Sequence, residues 1–154
     1  MKKVYTLCMP HIGSRVLLGM KKTSLGVGRW NGFGGKVEDG ETVEAAARRE
    51  VTEEIGIEAG RMEKLGVLDF KILDANMELE IHVFKAHDFS GEPVETMEMR
   101  PQWFNAAEIP FEAMWSGDKY WFPLFLGGKK FRGRFLYQND SKLLENELAE
   151  VAEI

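Results

Sequence analysis

At 154 residues, with 44% hydrophobic and 29% charged side chains, the chain is long enough for one domain with a real core, and a single domain spanning 1–154 is expected. A formal net charge of −5 argues against a protein that grips long nucleic acid by its phosphates, because such proteins normally present a basic face. No apolar run approaches the roughly 20 residues of a membrane span, so no membrane partner and a cytoplasmic location are expected. Cys8, the only cysteine, excludes an intrachain disulfide and reads as a small buried hydrophobe.

Taken in order, Lys3 to Met9 alternates and is rich in strand formers, and Pro10-His11-Ile12-Gly13 reads as a turn into a second strand from Arg15 to Met20. The two are expected to pair as a hairpin. Ser24 to Gly35 is glycine-rich and carries Trp30, Asn31 and Phe33, which suits irregular backbone passing close to a ligand. A helix follows, with Thr42 as cap, Glu44 in its first turn and Gly56 as the left-handed stop. Met62 to Leu73 and Met77 to Ala86 read as strands joined around Asp74-Ala75-Asn76, and Arg100 to Asn105 as another. Ala107 to Phe125 is expected to hold short helices under a loop. Lys130 to Gln138 reads as a late strand, and Leu143 to Val151 as either strand or helix. His82 is expected to pack within its strand, with His11 and His87 in loops. The element pattern predicts an α/β fold, a mixed sheet with a helix on each side.

The helix carries the functional signal. Helical spacing from Val43 puts Val43, Ala46, Ala47, Glu50 and Glu54 on one stripe, with Glu53 beside it. The opposite side already has Arg48 and Thr52 for solvent, so these glutamates are not needed for solubility. Crowded carboxylates repel unless a cation neutralises them. A hard, oxygen-seeking ion, Mg²⁺ or Mn²⁺, meets that demand, and such ions bridge carboxylates to substrate phosphates. Arg49 stands one turn before Glu53 and can hold it as an i,i+4 pair, orienting the cluster.

Within Gly35 to Ile57, the residues Gly35, Glu41, Arg49, Glu50, Val51, Glu53, Glu54, Gly56 and Ile57 fill every fixed position of G-x5-E-x7-R-E-U-x-E-E-x-G-U, where U is apolar aliphatic. The chain therefore resembles the Nudix hydrolases, enzymes that cleave a nucleoside diphosphate linked to another group, and the resemblance implies an α/β/α sandwich. It also implies that Glu50, Glu53 and Glu54 hold the metal, with the Gly35 carbonyl and a glutamate from a distant loop. Glu98 is the expected distant ligand, with Glu92 and Glu95 nearby as alternatives. The general base is Glu54 or Glu98, acting through water, and Glu41 is expected to brace the loop before the helix. Lys21, Lys22 and Arg29 could meet substrate charge; Lys21 and Lys22 read equally as surface lysines at a hairpin end.

Outside the box, Arg15 to Lys22, Gly28 to Val37, Glu98 to Phe104 and Tyr120 to Leu124 resemble the animal oxidised-purine nucleoside triphosphate diphosphatase branch of that family, over nearly the whole chain. The implied substrate is a small nucleotide such as 8-oxo-dGTP or 2-hydroxy-dATP, cleaved to monophosphate and pyrophosphate by a monomer. Another nucleoside diphosphate derivative, such as ADP-ribose, is the alternative, and a non-catalytic nucleotide sensor a more distant one. The resemblance assigns Asn31 and Asp118 to the purine edge and Trp115 to its face. It places Thr6, Leu25, Phe70, Ile72 and Leu79 on the walls, with Lys21 also near substrate. Three positions depart from the branch: Gly117 stands where it has the first of two adjacent aspartates, and Leu25 and Ile72 where it has aromatics. Narrower base choice and a looser stack are the expected consequences.

Overall fold

The computed structural model describes residues 2–154. Its strands are β1 (Lys2–Ile12), β2 (Arg15–Lys21), β3 (Trp30–Asn31), β4 (Glu58–Ala59), β5 (Met62–Ile72), β6 (Met77–Ala86), β7 (Phe89–Ser90), β8 (Met99–Asn105), β9 (Lys130–Asn139) and β10 (Lys142–Val151). Two α-helices interrupt them, α1 (Val43–Ile55) and α2 (Asp118–Leu126), with a 3₁₀ turn at Phe111–Ala113. Eight strands form one mixed sheet in the order β10-β9-β5-β6-β1-β2-β3, with β8 also on β2, while β4 and β7 pair separately. The β1–β6 and β5–β9 pairs are parallel and the rest antiparallel.

Strand alternation sends side chains to two separate cores. Met9, Val16, Leu18, Leu79 and Val83 join Trp121, Phe122 and Phe125 of α2. Cys8, Leu17, Phe84 and Ala86 join Ala47, Val51 and Ile55 of α1. One helix therefore lies on each face, which is the predicted α/β/α sandwich. Cys8 is fully buried as expected, and its thiol is pushed up to about 12 by loss of solvent. The cap and stop of α1 are also as expected: Thr42 accepts the Ala45 N–H at 3.1 Å, and Gly56 has φ 75°.

Two local expectations fail. Pro10, His11 and Ile12 belong to β1, and the turn is at Gly13 and Ser14, one pleat later. His11 is accordingly no loop residue but is buried and stacked on Phe125 at 6.2 Å. The β1–β2 hairpin closes only at its turn end, where His11 faces Val16 and Ile12 faces Arg15. Beyond that point the strands part, because the segment from Phe33 to Val37 takes the free edge of β1. Cys8 and Phe33 exchange backbone hydrogen bonds at 2.6 and 2.9 Å, Thr6 N donates to Gly35 O at 2.9 Å and Val37 N to Val4 O at 2.9 Å. Displaced from β1, β2 pairs along its whole length with β8. The Leu143–Val151 ambiguity resolves as strand, since β10 zips against β9 as far as Val151.

The inserted segment fits only because Gly34 has no side chain. A Cβ on Gly34 would stand 1.8 Å from the Thr6 carbonyl oxygen, backbone that cannot step aside. Gly34→Ala is therefore expected to cost about 3 kcal/mol or more, the upper range for overpacking. Urea unfolding against the parent protein checks this, and a change within 0.5 kcal/mol, typical of neutral surface positions, would refute the close-approach account.

Candidate active site

The C-terminal half of α1 faces the inserted glycine segment, and that meeting builds the acidic end of the site. Glu54 is 4% exposed, and its Oε1 accepts the Gly34 N–H at 2.9 Å. Burial pushes its carboxyl up to about 8, despite that hydrogen bond and the nearby Lys21 cation, with Glu50 and Glu98 adding like-charge repulsion. Glu50 is half-buried and also raised, mainly by burial, with the Arg49 guanidinium opposing. Glu50, Glu54 and Glu98 line one small pocket with Lys21, Thr23, Ser24, Gly34 and Met99. Among the described residues, no three carboxylate, thiol or imidazole groups are already drawn into a cage.

Arg49 organises the outer side of this cluster. Its Nε and Nη2 donate to the two Glu41 oxygens at 2.7 and 3.0 Å, its Nη1 to Glu50 at 2.8 Å and to Glu53 at 3.2 Å. The fork thus reaches three glutamates where one was expected. Glu41 also accepts the Glu38 N–H at 3.0 Å, and its carboxyl is held down to about 2 by Arg49 first and that N–H second. Its bracing role before the helix is the one expected.

Two expected ligands are placed differently. Glu53 turns to an outer groove with Arg48, Thr52 and Glu58, its side chain 58% exposed. Adjacent helical residues point about 100° apart, so Glu53 leaves α1 on a different side from Glu54. The Gly35 carbonyl already accepts Thr6 N–H, and Gly35 itself is pressed on Glu50, whose carboxylate would lie 2.6 Å from an added Cβ. Gly34, one residue earlier, lines the acidic pocket, and its carbonyl has no hydrogen bond among the described residues. Glu98 does arrive, on a loop held by Thr96: the Thr96 hydroxyl donates to the Glu54 carbonyl at 2.8 Å and accepts Glu98 N–H at 3.3 Å. Nothing in the sequence singled out Thr96, since its partner is 42 residues away.

The lysines separate. Lys21 lines the acidic pocket, whereas Lys22 donates to the Thr96 carbonyl at 2.8 Å and pairs with Glu95. Arg29 is not at the acidic end. Its guanidinium lies 5.3 Å over the Trp115 ring and bonds Ser141 at 3.2 Å beside Asp140.

Next to the acidic pocket opens an apolar cavity of about 330 Å³, whose lining includes Thr6, Lys21, Leu25, Asn31, Phe70, Ile72, Leu79, Trp115 and Asp118. All nine residues expected near substrate therefore meet on one wall system. Lys21, Ser24, Gly34, Glu54 and Met99 line both spaces, so they form one cleft, acidic at one end and apolar at the other. Leu25 is 38% exposed, at the rim rather than the floor. Asn31 donates to the Arg29 carbonyl at 3.0 Å, which fixes its amide and leaves Oδ1 to accept. Asp118 is 7% exposed and accepts the Trp121 indole N–H at 3.1 Å. Burial pushes its carboxyl up to about 7, opposed by Trp121 and Arg29. Met9, Met77, Met99 and Met114 also line the cavity, and the sequence singled out none of them as site residues. His82, as expected, stays in its strand and pairs with Glu80 at 2.8 Å.

This architecture and cleft are those of a nucleotide hydrolase, and residues 4–125 match the NUDIX domain. The chain belongs to the Nudix hydrolase family, whose members act on small nucleotides and generally use a divalent metal. The oxidized purine nucleoside triphosphate hydrolase of Danio rerio is 46% identical over 152 residues, 99% of this chain and 97% of its own. The Mus musculus protein of that name is 46% identical over 97% of this chain and 96% of its own. Among solved structures, the MutT protein of Bacillus halodurans superposes with a TM-score of 0.84 at 31% identity, covering 95% of this chain and 97% of its own. No helix among the described residues is long and apolar enough to cross a membrane.

The donor set fits a hard divalent cation: three glutamate carboxylates and a free backbone carbonyl, all oxygen, with a raised pKa that a cation would relieve. Glu54 sets the sign of the linkage. Because its folded value, about 8, stands above the ordinary 4.5, its protonated form is favoured by folding; that stability is complete below about pH 4.5 and drains as pH rises through 8. A divalent cation binds the ionised form, so binding at pH 7 should release close to one proton, and Glu54→Gln should abolish the release. Titration calorimetry in buffers of different ionisation enthalpy reads this directly, and equal release from both proteins would overturn it.

Proposed function

We propose that the protein is a Mg²⁺-dependent pyrophosphohydrolase of oxidised purine nucleoside triphosphates, 8-oxo-dGTP or 2-hydroxy-dATP among them, releasing the monophosphate and pyrophosphate. It would clear such nucleotides from the pool as a single-domain monomer in the cytoplasm, without a long nucleic-acid partner. The observation that carries this reading is the continuity of the cleft. A flat aromatic base suits the Trp115 end, and a triphosphate attached to it extends towards Glu50, Glu54 and Glu98. The names of the zebrafish and mouse relatives support the same substrate class.

The chain's residues divide the work. Trp115 stacks on the purine face, while Asn31 Oδ1 and Asp118 take its polar edge. Lys21 meets phosphate charge at the junction of the two ends. Glu50, Glu54 and Glu98, with the Gly34 carbonyl, would hold Mg²⁺, which when bound neutralises phosphate oxygens and aligns a water. Arg49 keeps Glu50 turned correctly and lies outside the substrate space. Of the two candidate bases Glu98 is the better placed. Glu54 has one oxygen committed to Gly34 N–H, whereas the Glu98 side chain, exposed on its loop, has no hydrogen bond or ion pair among the described residues. The attacking water gives its proton to Glu98 as its oxygen bonds the phosphorus and the anhydride bond to pyrophosphate breaks.

Purified protein with Mg²⁺ should convert 8-oxo-dGTP or 2-hydroxy-dATP to monophosphate and pyrophosphate in preference to dGTP and ADP-ribose. Activity confined to ADP-ribose would keep the hydrolase and reject the purine site. Glu98→Gln should lower kcat about 100-fold or more, the scale of general-base loss, with a smaller rise in the Mg²⁺ concentration needed for half-activity than Glu54→Gln gives. If the two variants behave alike in both measures, Glu98 is only a ligand.

Asp118 predicts a second pH effect. Its carboxyl at about 7 changes from donor to acceptor on its free oxygen as pH rises, so KM for the purine should bend near pH 7. Asp118→Asn should remove that bend and leave the kcat profile in place; a bend that survives would exclude Asp118 as its source.

A further inference from the structure

Beneath the turn from Trp115 to Asp118 lies Tyr137 of β9, fully buried. Its hydroxyl oxygen accepts the Gly117 N–H at 2.9 Å. Its ring meets Trp115 edge-on with centroids 5.2 Å apart and tilts against Phe70 at 5.4 Å. Close by, the Ser116 hydroxyl is buried with no hydrogen-bond partner among the described residues. Tyr137 does not line the cavity; it stands directly behind the residues that do.

Gly117 has φ −80° and ψ −16°, right-handed helical backbone that any residue adopts. No backbone demand explains a glycine here. Space does: a Cβ at 117 would stand 2.6 Å from the Tyr137 hydroxyl and 2.7 Å from the Phe135 ring. Both rings rise from β9, which is bonded to β5 on one side and β10 on the other, so their backbone is not free to retreat. The glycine and the phenol are thus two halves of one fit.

We infer that Tyr137 is a specificity-determining, positioning residue of the base site: its hydroxyl fills the space a side chain at 117 would need and pins the turn through Gly117 N–H, so the purine edge meets one carboxylate, Asp118, in one place. This rests on the reading of the cavity as a purine site. Trp121 already holds Asp118 Oδ1, which leaves one oxygen for the base. Two neighbouring carboxyls can share a proton and offer a purine either a donor beside an acceptor or two acceptors. One free carboxyl oxygen is a donor or an acceptor according to pH but never both at once, so bases with different edge patterns are sorted instead of being accepted alike. The substrate class singled out is one oxidised purine rather than several: 8-oxo-dGTP and 2-hydroxy-dATP both carry N–H donors, but on differently arranged edges, and a single fixed oxygen takes one of them in preference.

The test is the kcat/KM ratio of the better to the poorer of 8-oxo-dGTP and 2-hydroxy-dATP in the parent, with kcat and KM resolved, for the parent, Tyr137→Phe, Gly117→Asp and the double variant. Tyr137→Phe keeps the ring and should fold; it is expected to raise KM more than it lowers kcat, and to reduce the ratio about tenfold, the weight of one well-placed hydrogen bond. Gly117→Asp alone should lower the melting temperature, and adding Tyr137→Phe should recover part of that loss while bringing the ratio near one. A ratio within about twofold of the parent in both Tyr137→Phe and the double variant would overturn the inference and leave Tyr137 a filler of the core. A parent enzyme that hydrolyses neither purine would instead sink the proposed function, and a parent with equal efficiency on both would sink the inference alone.

Discussion

The structure depends on the contact between the backbone of Gly34 and the Thr6 carbonyl. Because the inserted segment lies in bare backbone contact with β1, it runs along the edge of that strand beside α1 and presents the Gly34 N–H to Glu54. The same approach seats Gly35 on the Glu50 carboxylate. A carboxyl buried without such a donor would be costly, and with it the group is held in place but still short of a countercharge. The acidic end of the cleft is therefore poised for a cation by the fit of a loop against a strand.

The displacement of β2 is the second consequence. Once the segment occupies the edge of β1, β2 must find its partner in β8. That pairing carries the chain before β8, with Glu98 and Thr96, across to the end of α1. Strand exchange and site assembly are one event: the hydrogen bonds that β2 does not make with β1 become the reason that Glu98 stands near Glu54. The apolar end forms on the opposite face, where the α2 core meets β5, β6 and β9. The sheet thus separates the two chemistries, and the cleft joins them around its edge at Lys21 and Gly34.

Much of this was legible in the chain. Helix α1, its Thr42 cap and its Gly56 stop follow from local hydrogen bonding, and its acidic stripe from a period of 3.6 residues. The strands from Met62 and Met77 follow from alternation. The nine pocket residues were legible by resemblance and not by periodicity, since Asn31, Phe70 and Trp115 sit in elements whose meeting no local pattern encodes. Errors arose where neighbours in sequence are not neighbours in space. The expected β1–β2 hairpin does form, but a competitor for the β1 edge confines it to the turn end, and His11, polar and after a proline, was read as a turn although Phe125 gave it a surface to pack on. Glu53, grouped with Glu54 by sequence, faces an outer groove and stays tied to Glu50 through Arg49.

By itself the sequence determined the identity of the acidic helix, the order of most strands and the oxygen-rich chemistry of the site, because these depend on spacing along the chain. Only the tertiary structure decided which carboxylates share a pocket, that Arg49 binds Glu41 and Glu50 as well as Glu53, that Lys21 and not Lys22 faces the cleft, and that Tyr137 stands where a residue at 117 would need room. Those outcomes depend on distances between segments tens of residues apart, fixed by which strand edge is free and which backbones can touch, and local pattern carries no record of either.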